Sequence, residues 1–421
     1  MTAPFVNQYK AFAANGGGKE AAGQPVWLRD LRERAIARFS AAGFPSTRLE
    51  QWRFTNVRPI AETPFTLSGA RWDLGHVPAG AVVSTLREAL LCSPDLVHAH
   101  LGRYASVEAN PFTALATAFL ADGVFVHIPA KTVIAEPITL SYRPPPPSPS
   151  TPAADSRPMT HPRVLIVVEG QAQAKIVESY DGVGSGECLT NAVTEIVLGD
   201  GARLDHCRVQ HDDAQAYHMA TTQTYQGRDS RLVFTTVALG ARLSRHDINA
   251  VLDGTGAYLV LNGLSVLGGR QHVDHHTTID HARPHCESHE YLNGVFDEES
   301  HGVFNGRIIV RPGAQRTDSK QTNNNLLLSE EARADSQPQL EIYADDVKCT
   351  HGSTVGPLDQ TALFYLRSRG LAAEQARGLL TYGFGAEILD RVTIPGTRER
   401  LDRLVRARLG VGDSPGGGRA A

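Results

Sequence analysis

No run of apolar residues in this 421-residue chain is long enough to cross a bilayer as a helix. The opening residues, Met1-Thr2-Ala3-Pro4-Phe5, lack a basic segment followed by an apolar one, so no signal peptide is expected. Cysteine is scarce. Cys92, Cys188, Cys207, Cys286 and Cys349 are odd in number and widely spaced, with no Cys-x-x-Cys. This argues against a disulfide framework and fits a reducing cytoplasm. Asn15-Gly16-Gly17-Gly18-Lys19 lacks the spacing of a phosphate-binding loop and runs into Glu20, so no P-loop is expected. There is neither a Gly-x-Ser-x-Gly nucleophile elbow nor a His-Glu-x-x-His zinc helix. The paired carboxylates Asp345 and Asp346 would leave opposite faces of a strand, which is poor geometry for glycoside hydrolysis. A net charge of -4 gives no reason to expect nucleic acid or an anionic membrane as the main partner.

What is present reads as a globular protein, with 41% apolar and 20% charged residues. The length argues for two or three domains. Residues 1–120 carry mainly helical patterns. Leu28, Leu31, Ala35 and Phe39 recur at helix spacing up to the break at Gly43-Phe44-Pro45. Ser84 to Leu91 is a second helix. Phe112 to Phe119 is a third, with Asn110 as cap and Pro111 at its first position. At Asp122-Gly123 the pattern switches to strands, beginning with Val124 to Ile128. A Pro/Ser-rich stretch at 143–158 reads as an exposed loop.

From His161 to Tyr343 strand follows strand: Val164 to Val168, Val193 to Leu198, Leu232 to Val237, Tyr258 to Val266, Arg307 to Val310 and Leu340 to Tyr343. Gly201-Ala202, Gly240-Ala241 and Gly256-Ala257 punctuate them, with Gly313-Ala314 as a weaker copy. The spacing suggests units of roughly 16 to 20 residues, a coil length for a β-solenoid. A sandwich would also supply many short strands, but the recurring turn before an apolar strand favours stacked coils. After Gly356-Pro357 helices return: Gln360 to Ser368 capped by Asp359, Ala373 to Leu380, and Thr397 to Leu409. A Gly-rich tail from about 410 reads as frayed.

Three segments carry chemistry. The run from Pro338 to Thr354 reads as an alternating strand in which Asp345, Val347, Cys349 and His351 share a face. A thiolate beside an imidazole suits iron, zinc or sulfur, yet two ligands do not complete a tetrahedral site. The bland reading is a buried thiol and a hydrogen-bonded imidazole. The second segment holds His272, His275, His276, His281, His285 and His289. In it His272, Asp274 and His276 alternate on one strand face, as do His285, Glu287 and His289. A two-histidine, one-carboxylate iron site is the sharp reading, and inter-coil hydrogen bonding the bland one. The third, Thr317 to Leu328, joins a polar block to an apolar strand. Asn and Thr ladders between coils explain it better than a substrate-contacting face.

From His272 to Gly383 the chain resembles the shared core of the SufB/SufD family of iron–sulfur cluster assembly proteins. The residues that carry the resemblance are Asp274-His275-His276-Thr277-Thr278-Ile279-Asp280-His281, Gly302-Val303-Phe304-Asn305-Gly306-Arg307, Arg316-Thr317-Asp318, Asn323-Asn324-Asn325-Leu326-Leu327-Leu328-Ser329, the run Pro338 to Thr354, and Leu363 to Gly370. Glu50-Gln51-Trp52-Arg53-Phe54-Thr55-Asn56 resembles an N-terminal segment of the SufD branch. That branch is the more similar of the two. Ile176 to Gly182 also stands where the SufB branch carries a cysteine-containing sequence.

The resemblance implies a mainly β fold, a right-handed parallel β-helix at 121–355 between helical regions at 1–120 and 356–421. It implies a non-catalytic subunit rather than an enzyme. Its partners would be a SufB-like paralogue, or a second copy as a homodimer, met through the last β-helix strands. A SufC-like ABC ATPase would dock on the C-terminal helices, with Leu363, Phe364, Tyr365 and Arg367 as the contact residues. His351 corresponds to a histidine implicated in cluster formation at the SufB interface, with Cys349 beside it. Where a family variant has cysteine, this chain has Ser353. No cofactor would be bound tightly by this chain alone; iron or an iron–sulfur cluster would be held transiently in the complex. Two rivals from other classes remain on the residues alone: a solenoid carbohydrate-active enzyme and a stand-alone His-rich iron protein.

Overall fold

Strands of up to ten residues, each ended by a tight turn, stack in register into two parallel ladders. The computed structural model describes residues 2–15, 17, 25–69, 71–121, 123–145 and 157–411. Most of the Pro/Ser-rich stretch, the Gly-rich tail from 412, and Gly16, Gly18 and Lys19 lie outside the described residues. One ladder runs through Val124–Ile128, Arg163–Val168, Leu189–Leu198, Tyr217–Gln226, Leu243–Leu252, His272–His281, His301–Val310 and Arg333–Ile342. The other runs through Ile138–Arg143, Gln173–Gly182, Arg203–Asp212, Arg231–Ala238, Tyr258–Leu267, Glu287–Phe296, Asp318–Leu327 and Lys348–Gly356. The chain alternates between them, so the fold is a parallel β-solenoid of about seven turns with the core between its two sheets.

The register corrects the expected unit length. Tyr217 pairs with Leu243 and His301 with Arg333, so a coil takes 26 to 32 residues. The turn signal marks half-coils as well as coils, because each coil holds two strands and either can be preceded by Gly-Ala. The same two letters also work in two ways. Gly201 and Gly256 adopt φ of 67° and 73°, a region costly for residues with a Cβ. Gly240 is instead needed for space: a Cβ there would come within 2.3 Å of the Asp212 carbonyl oxygen, and Ala241 takes the positive φ.

The run Pro338 to Thr354 is likewise not one strand. Arg333–Ile342 ends on the first ladder, the chain turns a corner through 343–347, and Lys348–Gly356 begins on the second. The corner is held to the coil before it. Tyr343 N–H donates to the Val310 carbonyl at 2.9 Å and Lys348 N–H to that of Thr317 at 2.8 Å. Asp345 therefore lies outside the strand face of Cys349 and His351, whereas Val347 packs on the same core as Cys349.

The outer faces of the sheets are covered by different helices. On the first ladder, Phe5, Tyr9, Phe39, Trp52, Phe65 and Phe112 pack over Met159, Leu189, Tyr217, Met219 and Leu243. The helix Val26–Ala42 buries the expected Leu28, Leu31, Ala35 and Phe39 and stops at Gly43 with φ of 70°. The helix Pro111–Ala118 is capped by the Asn110 side chain, which accepts from Phe112 N–H at 2.8 Å. The N-terminal region also holds strands that its helical pattern concealed. Arg71–Asp73 and Val82–Thr85 pair antiparallel to the first strands of the two ladders.

On the second ladder, Ile388, Leu389, Val392, Ile394, Leu401 and Val405 of the C-terminal helices cover Val177, Cys207, Val209, Val237 and Leu264. At about 1.5–3 kcal/mol per large apolar side chain buried, this face fixes those helices to the solenoid. The helix Ala373–Leu389 runs well past Leu380, through Gly383 and Gly385, because tertiary packing outweighs the low helix propensity of glycine. Among the described residues no helix is long and apolar enough to cross a membrane.

Candidate functional site at the open end of the solenoid

The last coil has no successor. Arg333–Ile342 pairs only with His301–Val310, and Lys348–Gly356 only with Asp318–Leu327, among the described residues. Each strand thus presents a free row of backbone donors and acceptors. Ile342, Tyr343 and Val355 are exposed along this edge, Tyr343 by 61%.

Cys349 and His351 do share a face, as their spacing requires. Their register neighbours on the preceding strand are Ser319 and Gln321, both fully buried in the lumen. They therefore sit at inward positions and are uncovered only because no coil follows. Cys349 is half-buried against the core and His351 is exposed. Burial, with a smaller contribution from Asp318, pushes the Cys349 thiol up, so at neutral pH it is protonated. Beside them the Ser353 hydroxyl donates to Ser336 at 2.8 Å, linking the two final strands across the lumen mouth. Among the described residues no third His, Cys, Asp or Glu joins the pair to make a metal-binding group.

Two buried polar rows lead inward from this mouth. Behind His351 come Gln321 and then Glu290, with Gln321 Nε2 donating to the Glu290 carboxyl at 2.6 Å. Burial raises Glu290 to about 7, offset only in part by the Gln321 amide. Behind Cys349 come Ser319, Ser288 and His281, linked by hydrogen bonds of 2.8 Å. The neighbouring amides fit the ladder reading of Thr317 to Leu328 only in part: Thr354 donates to Asn324 across coils at 2.8 Å, while others bond within a strand or to backbone. Asn325 Nδ2 donates to Asn323 Oδ1 at 2.7 Å, and Asn323 Nδ2 to the Leu292 carbonyl at 3.2 Å.

The histidine-rich segment is divided between the two faces of its strands. His275 and His281 point into the lumen and bond to Ser265 and Ser288. His272, Asp274 and His276 lie on the outer face, where Asp274 is already engaged. Its carboxylate contacts Arg245 at 2.9 Å and His276 at 3.1 Å, and accepts from the Thr55 hydroxyl at 2.5 Å. Burial would raise this acid, but Arg245 and His276 overcome burial and hold it well below the usual range. The Arg245 guanidinium lies 3.6 Å from the Trp52 ring centroid and donates to the Gln51 carbonyl. This cluster clasps the N-terminal segment to the solenoid, and among the described residues no group of three His, Cys, Asp or Glu is placed to hold an iron ion here. His285, Glu287 and His289 do not share a strand face, since His285 sits in a turn with φ of 60°.

A further buried knot escaped the sequence reading. Glu178, fully buried, accepts from Tyr180 at 2.6 Å and Thr194 at 2.9 Å and meets His206 at 3.1 Å. Arg208 donates to His218, whose other ring nitrogen lies 2.7 Å from Asp212. The available signal was the phase of Glu178, His206 and Arg208, which alternate with the outward positions and follow the inward Ile176 and Leu204. The proposed contact residues Leu363, Phe364, Tyr365 and Arg367 lie on the helix Gln360–Ser368, which has no buried residue. Phe364 is 72% and Tyr365 55% exposed, while Leu363 is half-buried.

The comparisons with known proteins bear on this geometry. Residues 151–384 match the family model described as SUF system FeS cluster assembly, SufBD core domain. Residues 72–140 match the SufBD protein N-terminal region. The chain belongs to the SufBD family. An iron–sulfur cluster assembly SufBD family protein of Synechocystis is 38% identical over 421 residues, covering 90% of this chain and 91% of that one. The iron–sulfur cluster assembly protein SufD of Escherichia coli is 28% identical over 411 residues, with coverage of 90% and 91%. The SufD of Bacillus subtilis is 25% identical over 425 residues, with 92% and 95%. The core match of this SufBD chain spans the solenoid from its second strand pair to its open end. It also takes in the buried clasp at Arg245 and Asp274 and runs into the helix Ala373–Leu389.

Proposed function

We propose that this SufBD chain is a non-catalytic subunit of an iron–sulfur cluster assembly complex. Its open end pairs with a SufB-like paralogue, and Cys349 and His351 form one half of an assembly site completed by that partner. The observation that supports this most is a thiol and an imidazole at inward register positions on one of the two edge strands that end the ladders. A second chain extending those strands would satisfy their backbone groups, cover Ile342, Tyr343 and Val355, and enclose the two side chains. Iron and sulfide are the cargo. The Cys349 thiol releases its proton when it takes a metal, so loading weakens as pH falls.

The exposed Phe364 and Tyr365 on an otherwise unburied helix suit a protein partner, assigned here to a SufC-like ABC ATPase. Its nucleotide hydrolysis would move the paired solenoids and open the site. The decisive experiment replaces His351 by Ala and follows cluster formation by the complete complex without oxygen. A large fall in yield is expected, and an unchanged yield and rate refutes the role of His351. Truncation after Gly356 is expected to abolish ATPase binding; retained binding refutes the docking assignment.

A further inference from the structure

The opposite end of the solenoid holds a cavity that the assembly site does not use. It encloses about 870 Å³ between the first helix, the short strands near residue 70 and the first coil. Small-molecule sites occupy roughly 300–1,000 Å³. Its apolar wall comes from Phe12, Leu67, Trp72, Leu74, Phe119 and Val124.

Among the described residues, two buried polar groups on this wall have no hydrogen-bond partner. His161 is only 6% exposed, and neither ring nitrogen makes a hydrogen bond. Its ring stacks on Phe119, with centroids 5.0 Å apart and planes 7° from parallel, which fixes the ring but satisfies neither nitrogen. The indole N–H of Trp72 is also buried and unpartnered. An unmet buried polar group is destabilising, so leaving these groups without a ligand carries a penalty. Burial alone lowers His161 to about 3, so the imidazole is neutral and offers one N–H donor. Arg87 adds a guanidinium to the lining, and none of the described lining residues is an acid.

We propose that this pocket binds an amphipathic carboxylate with a hydrocarbon body, a ligand of the fatty-acid class. The carboxylate would accept from the Trp72 and His161 N–H groups. The hydrocarbon would lie against Phe12, Leu67, Leu74, Phe119 and Val124. The unpartnered Trp72 N–H can only donate, which suits an acceptor head group, and the described lining holds no acid to balance a cation.

The test uses the full chain, stripped of lipid, titrated with dodecanoate below its aggregation limit and read by calorimetry and thermal shift. Saturable binding with a raised Tm is expected, and dodecanol is expected to bind at least about tenfold more weakly. His161→Phe keeps the stacking on Phe119 and removes both nitrogens. It is expected to weaken dodecanoate at least about tenfold while leaving the Tm of the free chain equal or higher. If His161→Phe does not fold, Trp72→Phe serves, removing the N–H and keeping a ring. No binding up to about 1 mM, equal affinity for dodecanol, or an affinity unchanged by the substitution overturns the proposal.

Discussion

The two ends of this solenoid are finished in opposite ways. At the N-terminal end, Trp72, Leu74, Ala81 and Val83 pack on the first-coil core, and antiparallel strands take up the outer backbone groups. Beyond it the Trp52 segment is locked to the third and fourth full-length strands of its ladder by Arg245 and Asp274. At the C-terminal end the described residues supply no such cover. The same inward rows run out to Cys349, His351 and Ser353 and stop in the open. The bare edge is where the proposed partner would pair.

The largest expected effect breaks the closed end. Asp274→Ala takes a buried carboxylate from Arg245, His276 and Thr55 at once and leaves Arg245 only Asp247, which should destabilise the fold by about 3–5 kcal/mol. Urea denaturation measures the loss. A change below about 1 kcal/mol would mean the clasp is ornamental.

Next comes the lumen behind the open end. Glu290 is fully buried, with its folded value raised from the usual 4.5 to about 7. Below pH 4.5 the acid is protonated in both folded and unfolded chains. Between 4.5 and 7 the unfolded chain ionises first, so stability falls as pH rises and levels off above 7. The total is roughly 3 kcal/mol. Glu290→Gln should abolish that slope and stabilise the protein at pH 8; an unaltered slope would place its origin elsewhere.

The open edge itself should respond in association rather than stability. Tyr343→Asp with Val355→Asp alters two exposed side chains, so the Tm should hold. Pairing through that edge should weaken by about 2 kcal/mol or more, near thirtyfold, in sedimentation experiments with the SufB-like partner. Smallest of all, Ser353→Ala removes the exposed hydroxyl bridge to Ser336 and should cost within about 0.5 kcal/mol.

Much of the architecture was legible because it depends on local rules. Asn110 and Asp359 announced helix starts that their side chains do cap, and Gly43 announced a stop. Alternation marked the strands, but only their most apolar stretches. Glu287–Phe296 and Asp318–Leu327 carry buried polar residues such as Glu290 and Gln321, which hide a core strand from any reading based on apolar runs. The coil length was misjudged for a related reason: a turn signal does not say which of two sheets the next strand will join.

For the site, the sequence alone determined that Cys349 and His351 leave one strand face, since period-two geometry is a property of the backbone. It also carried the family resemblance. Only the tertiary structure decided that this face is an inward row left open at the last coil, and that the Asp274 carboxylate is held by Arg245 from the neighbouring strand. Which coil is last, and which charge lies across the ladder, depend on stacking register between residues about thirty positions apart, which no local pattern encodes.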